Sequence, residues 1–335
     1  MSRVAIVGAT GAVGQEFRAV LEQRRFPAAS YKLLASPRSA GKSIDWIGGP
    51  ATVAALTPDA FADVDLALFS AGASVSREFV PHAIRAGAVV VDNSSAFRMD
   101  PGTPLVVPEV NPEDTFKHAG VIANPNCSTI ILLVALWPLH RANRVRRAVV
   151  ATYQAVSGAG ARALAELEQQ TRDVLAGRPA QPEVFHVPCA FNVFSHNSAI
   201  GPDGYNTEEQ KLVLETRKIF HDDAIQIAPT CMRVPVLRAH TEAVSLEFAE
   251  PMPEQRVRDL LAAAPGVRIV DDRAANRFPM PLEASYRDEV LVGRIRQDPS
   301  VPDQRGVQFI CSGDQLRKGA ALNAVQIAEL LAPRQ

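Results

Sequence analysis

The feature that most constrains this chain is an apolar N-terminal segment that runs directly into a glycine-rich turn. Residues 2–7 are predicted to form a short buried strand, and Gly8, Gly11 and Gly14 follow in the spacing G-x-x-G-x-x-G. Glycine permits a tight turn and a close backbone approach to a pyrophosphate, whose charge is then held at the N-terminus of the next helix. The segment predicts a dinucleotide-binding βα unit. The alternative is a plain βα turn that uses glycine for geometry alone.

The segments that follow alternate between helix and strand patterns. Helices are predicted over residues 15–24 and 75–86, and strands over residues 31–35, 64–70 and 88–91. Such alternation is typical of a parallel, doubly wound sheet with helices on both faces. We therefore expect residues 1–126 to form a Rossmann-like, nucleotide-binding domain.

Beyond residue 126 the pattern changes to longer strands with fewer intervening helices. The predicted strands are 149–156, 232–237 and 244–248, and the predicted helices are 161–175 and 208–220. This arrangement favours an α+β second domain, residues 127–313, with a mixed or antiparallel sheet. The segment 314–335 contains a predicted amphipathic helix, 316–331, which we expect to pack back on the first domain.

Composition and charge exclude several classes of protein. The 335 residues are 47% hydrophobic and 21% charged with a formal net charge of -1, which is ordinary for globular domains and gives no broad electrostatic footprint for nucleic acid or an anionic membrane. The longest apolar run, 130–137, is far shorter than the roughly 20 residues of a membrane helix. No signal-peptide pattern is seen, so we expect a cytoplasmic protein.

The turn after the second predicted strand indicates the type of cofactor. NAD-binding domains usually carry an acidic residue about 20 residues after the glycine turn, where it binds the ribose hydroxyls. Here the strand ends at Ala35 and continues with Ser36, Pro37, Arg38 and Ser39, without an acid. Arg38 and the two hydroxyl groups suit a 2′-phosphate, which favours NADP. The alternative is that Arg38 belongs to a solvated loop.

Cys127 is the strongest candidate for a reactive group. It lies between polar Asn126 and Ser128, immediately before the apolar run that is predicted to be a helix. Backbone N–H groups and the dipole at a helix N-terminus favour a thiolate and are also able to hold an oxyanion. A buried structural cysteine is the alternative, and the polar neighbours argue against it.

The remaining cysteines and the histidines are less informative. No C-x-x-C or H-E-x-x-H pattern occurs, so we expect no metal site and no disulfide framework, and the other three cysteines are interpreted as structural: Cys189, Cys231 and Cys311. A thiol nucleophile needs a base, and seven histidines are present. His240 lies at the predicted end of a strand that leads into a turn, but the pattern does not separate it from His196 or His186.

Ten segments together resemble the aspartate-β-semialdehyde dehydrogenase family over nearly the whole chain. They are GATGAVG (8–14), LASPRSAGK (34–42), FSAG (69–72), DNSSAFR (92–98), VPEVN (107–111), NPNCST (124–129), TYQAVSGAG (152–160), GYNTEEQKLVLETRKI (204–219), RVPVLRAH (233–240) and GDQLRKGAALNAVQIAE (313–329). The sequence departs from the family at Ala239 and Thr241, where glycine and serine are frequent, and in the loop 194–203.

The resemblance implies a role for the thiol and for four other side chains. Cys127 is the implied nucleophile, and His240 the implied acid and base. Gln154 positions the thioacyl group. Arg233 binds the substrate carboxylate through its bidentate fork, and Glu208 binds the substrate ammonium group.

The resemblance also implies a phosphate site, a cofactor site and a homodimer. The phosphate site would consist of Arg98, Asn126 and Lys211, although Lys211 is also placed to pair with Glu208 on a helix face. The residues implied in NADP binding are Gly8, Thr10, Gly11, Ala12, Val13, Ser36, Arg38, Ser39, Ser70, Ala71, Gly72, Ser157, Gly158 and Asn323.

The reaction implied by the resemblance is the reversible reductive dephosphorylation of L-4-aspartyl phosphate to L-aspartate 4-semialdehyde through a cysteine thioester. This reaction belongs to the biosynthesis of lysine and diaminopimelate, threonine, methionine and isoleucine. Three alternatives remain at the level of the sequence. They are an N-acetyl-γ-glutamyl-phosphate reductase, which would not need an acid such as Glu208; a cysteine hydrolase, which would leave the glycine turn unexplained; and a non-catalytic NADP-binding paralogue.

Overall fold

The structure is a computed structural model that describes residues 2–47 and 49–332. The chain divides into two compact units, one formed by Met1–Asn126 with Ala320–Gln335 and the other by Cys127–Gly319. The first residue of the predicted N-terminal domain and residues 333–335 of the predicted C-terminal segment lie outside the described residues.

The first unit is built on a parallel sheet. Its strands are β1 (Ser2–Val7), β2 (Ala28–Ala35), β3 (Ser43–Trp46), β4 (Gly49–Thr52), β5 (Ala54–Ala55), β6 (Leu66–Phe69), β7 (Val89–Asp92) and β8 (Val121–Ala123). Its first helices are α1 (Ala12–Gln23) and α2 (Ala73–Arg85), and short 3-10 turns cover Pro37–Ser39, Pro58–Phe61 and Pro112–Lys117. Among the described residues, six strands form one sheet in the order β5-β2-β1-β6-β7-β8, with every pairing parallel. The predicted Rossmann-like sheet is confirmed.

The central strand β1 is buried on both faces. Its residues Val4, Ala5, Ile6 and Val7 alternate between two apolar clusters, one that includes α1 and one that includes α2. A strand covered by helices on both sides needs this continuous apolar run. The chain leaves β1 for β2 on one side and later returns to β6 on the other, so the carboxyl end of β1 lies where the strand order reverses. Ligands bind at such a point in open α/β sheets.

Helix α1 begins three residues earlier than the sequence pattern predicts. Gly14 was assigned to the turn, but it is an interior residue of the first helical turn. A Cβ atom at Gly14 would lie 2.2 Å from the carbonyl oxygen of Gly8, so the glycine is required by close packing and not by chain reversal. A glycine that ends a turn and a glycine that lets a helix approach a strand have the same appearance in a sequence.

The second unit is an α+β domain on a mixed sheet. Its helices are α3 (Cys127–Ala142), α4 (Ala161–Leu175), α5 (Thr207–Phe220), α6 (Glu254–Ala262) and α7 (Pro281–Ala284), with a 3-10 turn at Val156–Ala159. Its strands are β9 (Val145–Gln154), β10 (Phe194–Ser195), β11 (Gln226–Arg233), β12 (His240–Phe248), β13 (Val267–Ile269), β14 (Val290–Gln297) and β15 (Gly306–Gly313). Within the part of the chain that is described, they form a seven-stranded sheet in the order β10-β11-β9-β12-β15-β14-β13, which contains parallel and antiparallel pairs. The predicted mixed sheet is confirmed.

One face of this sheet is covered by helices. Helix α3 packs against β9, β14 and β15 and against α5 and α6, and its residues from Ser128 to Leu136 are all buried. The opposite face is more open, because buried residues alternate with exposed or half-buried ones along most of β9 and with half-buried ones along β12. Val149 and Tyr153 of β9 are exposed apolar side chains on that open face.

The predicted strand 232–237 and the predicted end of a strand at His240 are both wrong. Strand β11 ends at Arg233, because Pro235 has no N–H for a ladder and the N–H of Val236 instead bonds to the carbonyl of Val234. His240 begins strand β12. Ala239 before it adopts a left-handed φ of 71°, which costs about 1 kcal/mol in a residue other than glycine.

The C-terminal segment differs from the predicted continuous amphipathic helix over 316–331. A π-helix covers Arg317–Ala321, and helix α8 covers only Leu322–Leu331. Residues 316–325 are all buried, including the polar side chains of Arg317, Lys318 and Asn323, so this segment has no exposed face. Helix α8 packs along α1 in the first unit, where Arg24 Nε lies 2.7 Å from Glu329 Oε1. No helix in the described ranges is long and apolar enough to cross a membrane.

Candidate active site

A thiol and an imidazole meet in the second unit. Cys127 is the first residue of α3, and its Sγ lies 3.5 Å from Nε2 of His240, the first residue of β12. Cys127 is half-buried, whereas the other three cysteines are buried. Burial raises the pKa of each of those three thiols, to about 11 for Cys189 and further for Cys231 and Cys311. Cys127 is therefore the accessible thiol of the described chain.

The hydrogen bonds of His240 fix its protonation state. Its Nδ1 accepts a hydrogen bond of 3.0 Å from the backbone N–H of Ala155, so a neutral ring carries its proton on Nε2, the atom that faces Cys127. Burial, followed by the nearby charge of Arg233, lowers the pKa of His240 well below its usual range. The ring is thus a neutral donor toward the sulfur atom.

Arg233, at the end of β11, is a buried cation. Its Nη1 donates to the carbonyl of Ala155 at 2.7 Å, and its Nη2 contacts Nε2 of His196 at 2.7 Å and Oδ1 of Asn197 at 3.3 Å. Its Nε has no hydrogen-bond partner, and no carboxylate of the described residues lies within ion-pair distance of it. Glu208 is near enough to raise the pKa of Arg233 but forms no ion pair with it, so a guanidinium that is only 3% exposed leaves a place for an anion.

Glu208 is a buried carboxylate in the first turn of α5. Its Oε1 accepts from Gln154 Nε2 at 3.0 Å, and its Oε2 accepts from Lys211 Nζ at 2.9 Å. Burial by itself raises the pKa of Glu208, but Lys211, His196 and the hydrogen bond from Gln154 together bring it below its usual range. The ion pair between Glu208 and Lys211, which the sequence offered as an alternative role for both residues, is therefore formed in this structure. It keeps the carboxylate ionised.

Gln154 connects this carboxylate to the start of α3. Its Nε2 also donates to Ser128 Oγ at 2.6 Å, one residue after Cys127, while its buried Oε1 has no partner. Strand register explains the arrangement, because Gln154 of β9 pairs directly with Arg233 of β11. A polar group with one unsatisfied atom thus lies between the carboxylate and the helix that begins at the thiol.

The glycine turn of the first unit fits a close backbone approach. Gly8 has a φ of 85°, and a Cβ atom there would lie 2.3 Å from the carbonyl oxygen of Ser70, the residue after β6. Helix α1 begins after Gly11 with neither a side-chain cap nor an acidic residue in its first turn, Ala12 and Val13 included. Its N-terminal N–H groups and dipole therefore suit a phosphate.

The turns after β2 and β6 complete this cradle. Thr10 Oγ1 lies 3.4 Å from Ser39 Oγ, which brings the turn after β1 against the turn after β2. Ser36 and Arg38 are exposed, and Arg38 forms no ion pair with any described residue. Residues 70–72 precede α2, with Gly72 at a φ of 92°. The cradle offers the cation of Arg38 and the hydroxyl groups of Thr10, Ser36 and Ser39 beside an uncapped helix.

Two other predicted residues of the first unit, Arg98 and Asn323, donate hydrogen bonds to backbone carbonyl groups. Arg98 is buried and donates from Nε to the carbonyl of Asn124 at 2.9 Å and from Nη2 to the carbonyl of Asn93 at 3.0 Å. Asn323 of α8 is fully buried, and its Nδ2 donates to the carbonyl of Val106 and to Oδ1 of Asn124. Asn126 is also buried. Both amide hydrogens of Asn323 are therefore engaged within the protein.

Ser157 and Gly158 belong to the second unit. The hydroxyl of Ser157 forms a short hydrogen bond with the side-chain amide of Gln315. A Cβ atom at Gly158 would lie 3.4 Å from His240 Nε2 and 3.5 Å from Arg233 Nη1. Glycine at this position keeps the space beside the imidazole and the guanidinium open.

Sequence reasoning missed two groups that contact the predicted residues. His196 and Asn197 hold the guanidinium of Arg233, although His196 was considered only as an alternative base. The sequence feature that could have pointed to them is the loop 194–203, which departs from the family and contains both residues. The backbone N–H of Ala155, which orients His240, has no signal in a sequence at all.

The first unit has a parallel sheet with a cradle suited to a phosphate, and the second has a thiol–imidazole pair on a mixed sheet. These features define a two-unit, thiol-dependent oxidoreductase. Comparison with known families supports this class directly. Residues 3–118 match the semialdehyde dehydrogenase, NAD binding domain, and residues 136–318 match the semialdehyde dehydrogenase, dimerisation domain.

The chain belongs to the aspartate-semialdehyde dehydrogenase family. A relative of that name from Synechocystis is 56% identical over 332 residues, covering 99% of this chain and 98% of the relative, and one from Bacillus subtilis is 45% identical over 336 residues, covering 98% and 96%. The crystal structure of aspartate semialdehyde dehydrogenase II complexed with ASA from Vibrio cholerae superposes with a TM-score of 0.96 at 45% identity, covering 99% of this chain and 98% of that one. A structure from Candida albicans with NADP has a TM-score of 0.76 at 25% identity, covering 99% and 98%. The comparisons do not favour the alternative functions.

Proposed function

We propose that this protein catalyses the reversible, NADP-dependent reductive dephosphorylation of L-4-aspartyl phosphate to L-aspartate 4-semialdehyde. The observation that carries the proposal is the accessible thiol of Cys127 at a helix N-terminus, 3.5 Å from His240 Nε2, in a unit that also holds the unpaired cation of Arg233. A relative crystallised with ASA and the names of the other relatives support the same substrate. The expected roles in the amino-acid pathways of lysine and diaminopimelate, threonine, methionine and isoleucine follow from this reaction.

The two ends of an α-amino acid match the two buried charges. Arg233 binds the α-carboxylate, because its Nε has no partner and its charge is in no ion pair. Glu208 binds the α-ammonium group, because its carboxylate is ionised although it is buried. An N-acetylated substrate would leave Glu208 without a cation to bind, which argues for the aspartyl substrate.

In the reductive direction, the Cys127 thiolate attacks the acyl carbonyl carbon. The S–C bond forms, the oxyanion receives hydrogen bonds from the N–H groups at the start of α3, and the C–O bond to phosphate breaks to leave a thioester. Arg98, Asn126 and Lys211 bind the departing phosphate. Gln154 orients the thioacyl oxygen. His240 is the acid and base, with its exchangeable proton on Nε2. The Nε2–H group donates a hydrogen bond to the oxyanion. When the C–S bond breaks, its electron pair leaves on the sulfur as a thiolate, which then accepts the hydrogen bond from Nε2–H.

The cradle in the first unit fits NADP. Gly8, Gly11 and the first turn of α1 would hold the pyrophosphate, and Ser36, Arg38 and Ser39 would hold the 2′-phosphate. When bound, NADPH supplies the hydride that reduces the thioester to the aldehyde. The matched NAD binding domain and the neighbour crystallised with NADP support this assignment.

The open face of the second sheet supports a homodimer. Val149 and Tyr153 expose apolar surface on a face that no helix of the described chain covers. The matched family domain is a dimerisation domain. A second copy of the chain on this face would bury that surface. Sedimentation or light scattering tests for a dimer in solution.

We also expect a cytoplasmic location for the protein, and cell fractionation tests it.

One assay tests the proposed function. Purified protein is mixed with L-aspartate 4-semialdehyde, phosphate and NADP, and NADPH is followed by absorbance. We expect formation of NADPH that requires phosphate. A protein that reduces NADP equally well without phosphate, or that accepts only N-acetyl-glutamate 5-semialdehyde, does not have the proposed function.

A further inference from the structure

His196 has no role in the proposed mechanism, yet it makes a close contact to the side chain of Arg233. Its Nε2 lies 2.7 Å from Arg233 Nη2. A guanidinium group only donates hydrogen bonds, so Nε2 of His196 accepts and the proton of the neutral ring lies on Nδ1. In that tautomer Nδ1 donates to Ser198 Oγ at 3.1 Å. The backbone N–H of Ser198 also points at Nδ1, as a weaker donor at 3.3 Å, and the shorter Arg233 contact decides the tautomer.

The loop that carries His196 is held by hydrogen bonds on both sides of this residue. On one side, the N–H of His196 donates to the carbonyl of Cys231, and Phe194 pairs with Arg233 in the β10–β11 ladder. On the other side, Ser198 Oγ accepts a hydrogen bond of 3.2 Å from the backbone N–H of Glu208. A continuous path of hydrogen bonds thus runs from the guanidinium through His196 and Ser198 to the residue that carries the carboxylate.

The chemistry of the acceptors around Arg233 matters as much as their positions. The carbonyl of Ala155, the imidazole of His196 and the amide oxygen of Asn197 are all neutral. Neutral acceptors satisfy the hydrogen atoms of a buried guanidinium without cancelling its charge, whereas a carboxylate in the same place would cancel it. Burial lowers the pKa of His196 to about 4, with Glu208 opposing the shift and Arg233 and Lys211 adding to it, so the ring stays uncharged at neutral pH.

We propose that His196 is a positioning residue that orients the Arg233 guanidinium and holds it apart from Glu208, so that both charges remain available to the α-amino acid end of the substrate. This inference rests on the proposed function, because it assigns Arg233 and Glu208 to the substrate. The proposed role concerns the binding of L-aspartate 4-semialdehyde and not the chemical step. Loss of His196 should therefore change the KM for the semialdehyde alone.

The test compares three variants of His196 in the assay that forms NADPH. His196→Ala removes the acceptor, His196→Gln restores a neutral acceptor, and His196→Glu introduces a charge that would pair with Arg233. We expect His196→Ala to raise KM for L-aspartate 4-semialdehyde about tenfold, the loss of one hydrogen bond to a charged group, with kcat, KM for phosphate and KM for NADP nearly unchanged. His196→Gln should recover most of the affinity, and His196→Glu should bind the semialdehyde more weakly than His196→Ala.

His186→Ala is the matched control, because His186 is exposed and lies edge-on to the ring of Phe194 without contacting Arg233. It should leave every KM unchanged, and circular dichroism should show that all variants are folded. The inference is overturned if His196→Ala leaves KM for the semialdehyde unchanged, if all three KM values rise together, or if His196→Gln is no better than His196→Ala. Failure of the proposed function is a separate result, since the wild-type protein would then form no NADPH in this assay.

Discussion

The nucleotide cradle of the first unit and the thiol centre of the second unit are built on opposite principles. The cradle consists of backbone and small residues in turns after neighbouring parallel strands, and much of it is exposed. The thiol centre consists of side chains that are mostly buried and that come from distant parts of the chain. A backbone cradle tolerates the loss of a side chain, whereas a centre made of a few buried side chains does not.

The same difference appears in how each region is held. Turns at the carboxyl ends of parallel strands meet because the sheet requires it, so Gly8, Ser39 and Ser70 come together through the strand order, and the contact of 3.4 Å between Thr10 Oγ1 and Ser39 Oγ adds to this. In the second unit, strand register sets Gln154 beside Arg233, and a single backbone N–H from Ala155 orients His240. A change in any one of these contacts alters the chemistry directly.

The first prediction addresses the thiol. We expect Cys127→Ser to lower kcat by about four orders of magnitude, because a serine hydroxyl forms its anion far less readily and leaves less well than a thiolate. The variant should keep its fold, since oxygen replaces sulfur at a half-buried position. Steady-state kinetics and circular dichroism measure both. Activity within tenfold of the wild type would contradict a covalent scheme.

The second prediction addresses the buried cation. Arg233→Lys keeps a positive charge but loses the planar fork and the contacts to Ala155 and His196. We expect KM for L-aspartate 4-semialdehyde to rise about a hundredfold, with a smaller change in kcat. KM for NADP is the internal control, since it should stay constant. An unchanged KM for the semialdehyde would mean that Arg233 does not bind the substrate carboxylate.

The third prediction concerns the stability of the buried region beside this centre. Glu242 of β12 is fully buried, its Oε1 has no partner, and its Oε2 has only the thiol of Cys311, at 3.9 Å. Burial raises the pKa of Glu242 well above its usual range, so the folded protein holds it neutral. The unfolded chain ionises it above about pH 4.5, and the free energy of unfolding is therefore lowered as the pH rises from there toward the folded-state pKa.

Glu242→Gln removes this titration while keeping the shape of the side chain. Relative to the wild type, the variant should gain up to about 1.4 kcal/mol in free energy of unfolding for each pH unit above about 4.5, until the folded-state pKa is reached. Urea unfolding at pH 5, 6, 7 and 8 measures the difference. A difference that is constant over this range would show that Glu242 is ionised in the folded protein.

The fourth prediction tests the tolerance of the cradle. Arg38→Ala removes one exposed side chain but leaves the glycine turn and the N-terminus of α1 intact. We expect KM for NADP to rise only about five- to tenfold, because the 2′-phosphate loses one partly solvated ion pair, and KM for NAD to stay constant. Equal changes for both cofactors would place Arg38 away from the 2′-phosphate.

The sequence was sufficient for the regions whose structure depends on local pattern. The strand at residues 2–7, the helix at 161–175 and the helix that begins at Cys127 all have the expected positions, because apolar periodicity and glycine placement determine them. Sequence pattern was insufficient where contacts between distant parts of the chain set the bounds of an element. Strand β11 was displaced, because the apolar residues around Pro235 resemble a strand until the missing N–H is considered.

The thiol centre shows the same limit. Cys127 is identifiable from its own neighbours, but nothing local selects His240 over His196, and only the β12 register and the Ala155 hydrogen bond separate them. The resemblance to a family supplied that choice. Neither local sequence pattern nor family resemblance predicts the contact between His196 and Arg233. The loop 194–203 departs from the family, and its geometry depends on the β10–β11 ladder.

The most direct test of the account is to observe the covalent intermediate. Wild-type protein is mixed with L-aspartate 4-semialdehyde and NADP in the absence of phosphate, quenched in acid and examined by peptide mass spectrometry. The thiohemiacetal is then oxidised to a thioester that has no phosphate to accept its acyl group, so we predict an aspartyl adduct on the peptide that contains Cys127, abolished in Cys127→Ser and discharged by added phosphate. An active enzyme that shows no adduct at Cys127, or that carries it on Cys189, Cys231 or Cys311, would contradict the central claim.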